Sequence, residues 1–393
     1  MEEQSNQIQE KNKQNSEDWM NSLSVFGPIF PLYLDEDVSE IMVNGPTQVY
    51  CERKGKIVLS PIKFRDNNQV ISVIEKIISP LGRKIDKSNP MVDVRLPDGS
   101  RVNALIPPLA LNSPTITIRK FSKDLFHIED LINLRTISEE VAIFLNACVK
   151  ARLNIFVSGG AGSGKTTILN VLSNFIPNDQ KIIKIEDTTE IQLEKKTVDS
   201  LESRSQNCVG KGASSIRNLV RNSLRRRPDR VIIGEVYGGE ALDMLHAMNT
   251  GHDGFLATSQ SNCPRDMIAG LETMVMLAGE DLPVQAIREQ IAGAIDIIIQ
   301  QSRLKDGSRK IVSITEVKGI EGEAISLQDI FIFKHEGLNS EGKIFGRLMP
   351  TGVRPRFYER LEATGIHFPP FSFIDQEELR YFSQIQPILF RVI

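Results

Sequence analysis

The sequence lacks the features that mark secreted, membrane-spanning and nucleic-acid-binding proteins. Its four cysteines in 393 residues include no CxxC pair, which indicates neither a disulfide framework nor a zinc or redox site. The first residues are polar where a secretory signal needs an apolar core, and no apolar run reaches bilayer length. A net charge of −3 and 6% aromatic residues argue against a nucleic-acid partner. We therefore expect a cytoplasmic protein that contacts a membrane only peripherally, through partners.

Composition and hydrophobic spacing divide the chain into segments. Residues 1–18 are rich in Gln, Asn, Glu and Lys without apolar periodicity, which predicts a disordered tail. Residues 19–120 predict a small α+β domain, because apolar residues recur at helical spacing over 70–78 and Asp98–Gly99 marks a hairpin. Residues 121–136 are predicted to be a linker.

The following segment, residues 137–335, alternates strand-like and helix-like runs. Thr136 and Glu139 have the spacing of a capping box at the start of its first helix. Continuous apolar strands alternating with helices predict an α/β domain with a parallel sheet covered on both faces. The runs KIVSITEV and SLQDIFIF are candidates to extend this sheet, and residues 336–393 are predicted to be a carboxy-terminal extension.

A phosphate-binding loop stands between the first of these strands and its helix. It matches the G-x-x-x-x-G-K-[ST] pattern with Gly159, Gly160, Ala161, Gly162, Ser163, Gly164, Lys165 and Thr166. The glycines allow successive backbone N–H groups to surround a β-phosphate at the helix N-terminus. Lys165 is predicted to reach the β- and γ-phosphates, and Thr166 to supply a hydroxyl to Mg²⁺. Together with Thr167, the residues of this loop predict a binding site for ATP and Mg²⁺.

Acidic residues follow two buried strands, where ligands bind in open α/β sheets. Glu186 and Asp187 end the run KIIKIED, Glu190 comes one turn later, and Glu235 follows RVIIG. Glu235 is the first candidate for the catalytic carboxylate and Glu186 the second. Thr166, Glu235 and Asp187 are the predicted metal ligands. The alternative for each carboxylate is a surface group that caps the following helix.

Three arginines, Arg217, Arg221 and Arg225, are spaced four residues apart and so share one helix face. Such a row of guanidinium groups is suited to sensing phosphate on a neighbouring subunit. The alternative, equally consistent with the spacing, is a solvated or salt-bridged face.

Ten collinear segments resemble the secretion ATPases of the type II and type IV superfamily. Within it, the sequence resembles the CpaF/TadA-type ATPases of Flp-pilus (tight-adherence) systems. The segments include SEIMVNGPTQVYCERKGKI, NPMVDVRLPDGSRVNALIPPLAL, TITIRKF, GGAGSGKTT, IEDTTEIQL, RNLVRNSLRRRPDRVIIGEV, GGEALDMLHAMNTGHDG and PRDMIAGLETMVMLAG. This collinear order is far more specific than a single phosphate-loop motif.

The resemblance implies an amino-terminal domain joined to a RecA-like ATPase domain. It also implies a homohexamer at the cytoplasmic face of the membrane, docked on polytopic inner-membrane platform proteins. ATP would bind where the two domains meet, and Arg119 stands where the family's amino-terminal domain reaches the nucleotide. His252 and Gln260 fall in the segment that corresponds to the family's His box.

The chain departs from the family pattern at three positions: Tyr237 replaces Arg, Gln260 replaces His and Gly270 replaces Arg. Gln can still orient a water, but Tyr cannot replace the bidentate contact of a guanidinium. Losing one positioned donor can cost ~10²–10³ in rate, so hydrolysis is expected to be slow or dependent on partners.

The leading hypothesis is an ATP-hydrolysing motor for pilus assembly, with protein secretion without a pilus as its nearest variant. A second hypothesis is an ATP-binding switch subunit of the same apparatus that turns over slowly or not at all. A third, less favoured, is a RecA-like nucleic-acid motor.

Overall fold

The computed structural model describes residues 23–53, 55–121, 126–193, 195–204, 213–338, 342–366, 368 and 373. They belong to two compact units, the first ending at residue 125 and the second beginning at residue 126. The tail predicted for residues 1–18 lies outside the described residues.

Among its described residues, the first unit has a six-stranded antiparallel sheet and three α-helices. The helices are α1 (Leu23–Phe26), α2 (Phe30–Leu34) and α3 (Asn67–Ile78), with short 3-10 turns at Gly27–Ile29 and Ser79–Leu81. The strands are β1 (Val38–Asn44), β2 (Val49–Arg53), β3 (Lys56–Leu59), β4 (Met91–Arg95), β5 (Arg101–Leu105) and β6 (Thr115–Arg119). Their order is β3-β2-β1-β6-β5-β4. The predicted α+β character, the helix over 70–78 and the hairpin at Asp98–Gly99 are all confirmed.

The second unit is a nine-stranded mixed sheet with helices. Its strands are β7 (Ile155–Gly159), β8 (Ile182–Glu186), β9 (Val198–Glu202), β10 (Arg230–Ile233), β11 (Leu256–Gln260), β12 (Ile297–Arg303), β13 (Arg309–Glu321), β14 (Ala324–Leu338) and β15 (Ile344–Pro350). Its helices are α4 (Ile128–Asn133), α5 (Glu139–Lys150), α6 (Lys165–Asn174), α7 (Ile216–Leu224), α8 (Glu240–Asn249), α9 (Pro264–Leu277), α10 (Val284–Ala294) and α11 (Tyr358–Glu362).

The order of this sheet is β15-β14-β13-β12-β7-β11-β10-β8-β9. Strands β12, β7, β11, β10, β8 and β9 pair in parallel, and β13 to β15 add to the β12 edge as an antiparallel meander. Parallel strands place all their carboxyl ends at one edge of the sheet, so the segments after β7, β8, β10 and β11 share that edge. This is the edge that holds the phosphate loop.

Helices cover both faces of the parallel strands, as their continuous apolar sequences predicted. In β7, Ile155 and Val157 belong to one hydrophobic core, whereas Phe156 belongs to another. Alternate side chains of a strand point to opposite faces, so the two cores lie on opposite sides of the sheet. Strands β7, β8 and β10 are buried along their whole length as a result.

The described structure changes the predicted segment boundaries. Helix α4 lies inside the segment predicted to be a linker, over residues 128–133. At the other end, β14 continues past residue 335, β15 pairs with it, and Phe357 and Leu361 are buried in the core that also contains Phe144. Described residues beyond 335 are therefore part of the second unit rather than an extension from it.

The capping box predicted at Thr136 and Glu139 is wrong. Ser138 is the N-cap of α5, and its hydroxyl accepts a hydrogen bond from the Val141 N–H at 3.4 Å. The Thr136 hydroxyl instead donates to the backbone carbonyl of Arg309 at 3.2 Å and so connects the segment between α4 and α5 to the start of β13.

None of the helices in the described part of the chain is both apolar and long enough for a membrane span.

Two leucines beyond residue 335 test whether this segment supports the core. Leu361 is 0% exposed in α11, and Leu338 is 66% exposed at the end of β14. Leu361→Ala is expected to lower the free energy of unfolding by about 2–5 kcal/mol, because it leaves a cavity. Leu338→Ala, the matched control, should change it by less than about 0.5 kcal/mol. Denaturant unfolding followed by circular dichroism measures both, and equal effects would contradict the core assignment.

Candidate nucleotide site

The phosphate loop connects β7 to α6 at the carboxyl edge of the sheet. Gly164 is the residue before the helix and has φ of 100°, a left-handed backbone that glycine adopts at little cost. Helix α6 then begins at Lys165, so its first N–H groups face the loop. The strand, loop and helix predicted around residues 159–166 are therefore present.

Lys165 and Glu235 face each other across this loop. The Lys165 ammonium donates to the Gly160 carbonyl at 3.2 Å and lies 3.9 Å from Glu235 Oε1. The Glu235 side chain is 46% exposed and follows β10, which is two strands from β7 in the sheet. The ammonium that is predicted to bind phosphate is therefore close to an accessible carboxylate, which fits Glu235 as the first candidate for the catalytic carboxylate.

Thr166 lies beside a carboxylate that was not among the predicted ligands. Its hydroxyl donates to Glu190 Oε2 at 3.4 Å. Asp187, the predicted ligand, is exposed and accepts a hydrogen bond from the Ser203 hydroxyl instead. The structure therefore favours Glu190 over Asp187 as the partner of Thr166.

The oxygen atoms of Thr166, Glu190 and Glu235 suit Mg²⁺. This ion prefers oxygen ligands and is usually held through one or two carboxylates together with substrate phosphates. Among the described residues no cluster of three or more His, Cys, Asp or Glu side chains could hold a metal on its own. The residues present fit a metal that binds with a nucleotide.

Glu186 is buried and bonded within the protein. Its carboxylate pairs with the Lys184 ammonium at 2.8 Å and accepts the N–H groups of Glu190 and Ile191, each at 2.7 Å. Burial raises the pKa of the Glu186 carboxyl, while the Lys184 charge and the backbone donors oppose that rise. A Cβ at Gly234 would lie 2.9 Å from Glu186 Cγ, so this side chain also packs on the residue before Glu235. These contacts favour a positioning role for Glu186 over the predicted catalytic one.

Glu240 shapes the loop that carries Tyr237. Its buried carboxylate accepts the N–H groups of Tyr237 and Gly238, both at 2.8 Å. Burial, followed by the charges of Asp187, Glu240 and Glu235, raises the pKa of the Tyr237 phenol. Tyr237 is therefore neutral at physiological pH and does not supply the positive charge of the arginine that the resemblance implies at this position.

The two predicted His-box residues lie at opposite ends of β11. Gln260 is the last residue of that strand and pairs with Gly159, so it stands exposed beside the phosphate loop. His252 precedes the strand by four residues, and its backbone N–H donates to the Ala247 carbonyl at 3.2 Å. Because a parallel strand separates them, His252 lies at the far edge of the sheet. The structure brings Gln260, but not His252, to this chain's own phosphate loop.

The predicted arginine row is engaged within the chain. Arg217 Nε and Arg221 Nε donate to the two oxygens of Asp243 on α8, each at 2.6 Å, and Arg217 also donates to the Ala278 carbonyl. Arg225 is exposed just after α7. The geometry favours the salt-bridged alternative over the phosphate sensor for Arg217 and Arg221.

Two residues near the phosphate loop belong to no recognised sequence motif, so the sequence alone did not predict them. Arg309, at the start of β13, donates through Nε to the Gly162 carbonyl at 3.0 Å. Gln301, in β12, lies beside Gly164. Arg119, by contrast, was predicted and is exposed in β6 of the first unit. Its contact with a nucleotide in the second unit stays a prediction.

The family model for type II/IV secretion system proteins matches residues 23–325, more than half of the chain. The chain belongs to the type II/IV secretion system protein family. The resemblance to this superfamily is thereby confirmed, whereas the finer assignment to the CpaF/TadA type stays a prediction.

Two relatives match this chain over different lengths and at different sequence identities. An uncharacterised protein of Methanocaldococcus jannaschii is 44% identical over 232 residues, which cover 57% of this chain and only 32% of the relative. The type IV secretion system protein VirB11 of Bartonella henselae is 30% identical over 336 residues, covering 74% of this chain and 92% of that protein.

A solved structure supports the fold. The pilus retraction motor PilT with bound ADP matches with a TM-score of 0.51 at 17% identity, covering 89% of this chain and 85% of its own. The predicted fold class, a RecA-like α/β domain preceded by a smaller α+β domain, is confirmed.

Arg217 and Arg225 separate a structural arginine from a phosphate sensor. Arg217→Ala is expected to lower the free energy of unfolding by about 1–3 kcal/mol, because Asp243 and the Ala278 carbonyl lose a charged donor. Arg225→Ala, at the exposed end of the same helix, should leave stability unchanged. Chemical denaturation measures both. An Arg217→Ala protein of wild-type stability that no longer hydrolyses ATP would instead establish the sensor role.

Proposed function

We propose that this chain is a Mg²⁺-dependent ATPase that works as a homohexameric motor for pilus assembly or protein secretion. One observation carries the catalytic part of the proposal. Lys165 meets Glu235 at 3.9 Å and Thr166 meets Glu190 at 3.4 Å, at the same edge of the sheet. Phosphate-binding groups and two carboxylates converge there, as hydrolysis of a nucleoside triphosphate requires.

Each residue of the site has a distinct task in this proposal. The loop N–H groups bind the β-phosphate, and Lys165 contacts the β- and γ-phosphates. Thr166 and Glu190 would hold Mg²⁺, which neutralises developing charge on the phosphates when it is bound. Glu235 would orient the attacking water and accept its proton, because its carboxylate is accessible and next to Lys165. Gln260, exposed beside Gly159, is placed to hold the same water.

Family membership supports the motor part of the proposal. A relative that matches 74% of this chain is a type IV secretion system protein. The collinear segments resemble ATPases of Flp-pilus assembly, which implies a hexameric ring at the cytoplasmic face of the membrane. Polytopic inner-membrane platform proteins would then be its partners, and membrane contact would be peripheral.

The second candidate is an ATP-binding switch with slow or absent turnover in the same apparatus. Tyr237 favours it, because a neutral phenol stands where the resemblance implies a guanidinium. Tyr237 is 55% exposed and has no charge to offer a phosphate. The intact Lys165, Thr166 and Glu235 oppose it. Both candidates predict that the protein binds ATP. They differ in turnover, because the switch hydrolyses ATP slowly or not at all.

Two substitutions test the catalytic assignment. Lys165→Ala is expected to lower affinity for Mg·ATP, because the loop loses its phosphate-facing charge. Glu235→Gln should bind Mg·ATP like the wild type and lower turnover by ~10²-fold or more, because the amide cannot accept the proton of the water. Calorimetric titration and steady-state phosphate release measure the two quantities.

The same assay distinguishes the candidates. Wild-type phosphate release that Lys165→Ala abolishes supports the motor. Tight binding without release by the wild-type protein supports the switch, and unchanged ATP affinity in Lys165→Ala contradicts both.

A further inference from the structure

One end of the sheet in the first unit carries exposed apolar side chains. Neighbouring strands of this sheet are antiparallel, so β1, β3 and β5 end where β2, β4 and β6 begin. The loop between β5 and β6, residues 106–114, lies at this end. Its Leu109 is 56% exposed and its Leu111 is 90% exposed, and Met91, where β4 begins, is exposed as well. Apolar side chains grouped on a surface in this way mark an interaction site.

This loop is fixed at both of its ends. Ile106 and Pro114 are buried. The Ile106 N–H donates to the Pro90 carbonyl at 2.8 Å, and the Gly45 N–H donates to the Pro114 carbonyl at 3.0 Å. Within the loop, the Leu109 N–H donates to the Ile106 carbonyl at 3.1 Å. These contacts fix the path of the loop and leave its two leucines outside the core.

Basic residues lie beside the loop where it meets β4. Asp86 and Asn89 form a turn in which each backbone N–H donates to the carbonyl of the other, at 3.1 and 3.0 Å. Pro90, which is bonded to the loop, follows this turn directly. Lys87 is exposed within the turn, and the exposed Lys84 pairs with Asp86 at 3.1 Å. Two ammonium groups are therefore close to the loop on this side.

Further basic residues lie on the other side of the loop. The Phe64 N–H donates to the carbonyl of Pro46 at 2.7 Å, and Pro46 follows the Gly45 that is bonded to the loop. Lys63 and Arg65, on either side of Phe64, are both exposed. The exposed leucines thus lie between two groups of basic residues.

These segments form one surface, here called the loop face, which consists of residues 60–66, 84–90 and 106–114. It carries four basic residues and two carboxylates, in a chain whose net charge is −3. Both carboxylates pair with a basic neighbour, Asp66 with Arg65 at 3.2 Å and Asp86 with Lys84. Exposed apolar side chains between basic flanks complement a surface that is apolar beneath an anionic layer, as a phospholipid bilayer is.

We propose that the loop face binds the surface of an anionic phospholipid bilayer directly, with Leu109 and Leu111 inserted among the lipid headgroups. Apolar side chains gain free energy on leaving water, and basic residues near an anionic surface add electrostatic attraction. The proposal goes beyond the proposed function, which assigns docking at the membrane to partner proteins. It does not depend on ATP hydrolysis, so it is tested without nucleotide.

Vesicle sedimentation with the full-length protein tests the proposal. The wild-type protein should sediment with vesicles of phosphatidylglycerol and phosphatidylcholine in equal parts, and not with phosphatidylcholine alone. Leu109→Ser combined with Leu111→Ser should lower the partition coefficient at least ~10-fold, because two apolar side chains no longer leave water. Leu34→Ser is the matched control and should bind like the wild type. Leu34 is 54% exposed in the same unit but precedes Asp35, at the end of the sheet where β1 begins.

Charge variants test the electrostatic part of the proposal. Lys63→Gln and Lys87→Gln should each lower binding to the anionic vesicles about fivefold, because each removes one attraction to the surface. Added salt should weaken wild-type binding as well, since it screens exposed charges. Lys56→Gln is the control, because Lys56 is exposed where β3 begins, at the opposite end of the sheet.

Tryptophan fluorescence tests insertion itself. The sequence has a single tryptophan, Trp19, so Leu111→Trp is made together with Trp19→Phe. Its emission should shift to shorter wavelength on the anionic vesicles, because the indole leaves water. Leu34→Trp in the same background should show no shift.

Four outcomes would overturn the proposal. They are a wild-type protein that does not bind the anionic vesicles, a double leucine variant that binds them like the wild type, a Leu34→Ser variant that loses binding equally, and no emission shift for Leu111→Trp. Light scattering and thermal unfolding show that each variant keeps its size and fold. A folded double leucine variant that becomes smaller but still binds vesicles would assign the loop face to contact between copies of the chain.

Discussion

The buried ion pair between Lys184 and Glu186 is the interaction on which the geometry of the site depends. Glu186 uses its carboxylate to bind two successive backbone N–H groups, those of Glu190 and Ile191, while Lys184 donates to the Ile191 carbonyl at 2.6 Å. This folds the segment after β8 back on itself and brings Glu190 to Thr166. Both charges are buried, and each is opposed by the other and by backbone groups rather than by water.

The same ion pair links two neighbouring strand ends. Glu186 packs on Gly234, whose missing side chain leaves room for it, and Glu235 follows directly. One buried carboxylate thereby supports two accessible ones. The arrangement separates the tasks, because the carboxylate that fixes the geometry is shielded from solvent, whereas the two carboxylates beside Lys165 and Thr166 are not. This division explains why a carboxylate at a strand end need not be catalytic.

Local patterns in the sequence predicted the parts of this structure that local chemistry controls. The phosphate loop, the position of Glu235 at a strand end and the buried strands follow from short motifs and hydrophobic spacing, and each is present. The contact of Glu190 with Thr166 depends instead on how the chain turns after β8, which no spacing rule specifies. Likewise, the sequence shows Arg217 and Arg221 on one helix face but not the Asp243 that binds them from α8.

Other features could not be predicted because they depend on the order of strands in space. Gln260 and His252 are eight residues apart in one segment, yet a strand between them places only Gln260 at the phosphate loop. Arg309 has no motif and reaches Gly162 only because the β12–β13 hairpin lies next to β7. The capping box at Thr136 failed for a similar reason, since its hydroxyl binds the carbonyl of Arg309, more than 170 residues later in the chain.

In the proposed mechanism, Glu186 positions the site while Glu190 takes part in the reaction. Single-turnover hydrolysis of Mg·ATP, measured for Glu186→Gln and Glu190→Gln beside their unfolding free energies, tests it most directly. Glu186→Gln should lose about 3–5 kcal/mol of stability, because the buried Lys184 charge is left without a counter-charge, while its rate falls by no more than ~10-fold in conditions that keep the variant folded. Glu190→Gln should keep its stability and lose ~10²-fold or more in rate. A stable Glu186→Gln protein without activity, or a fully active Glu190→Gln protein, would contradict these two roles.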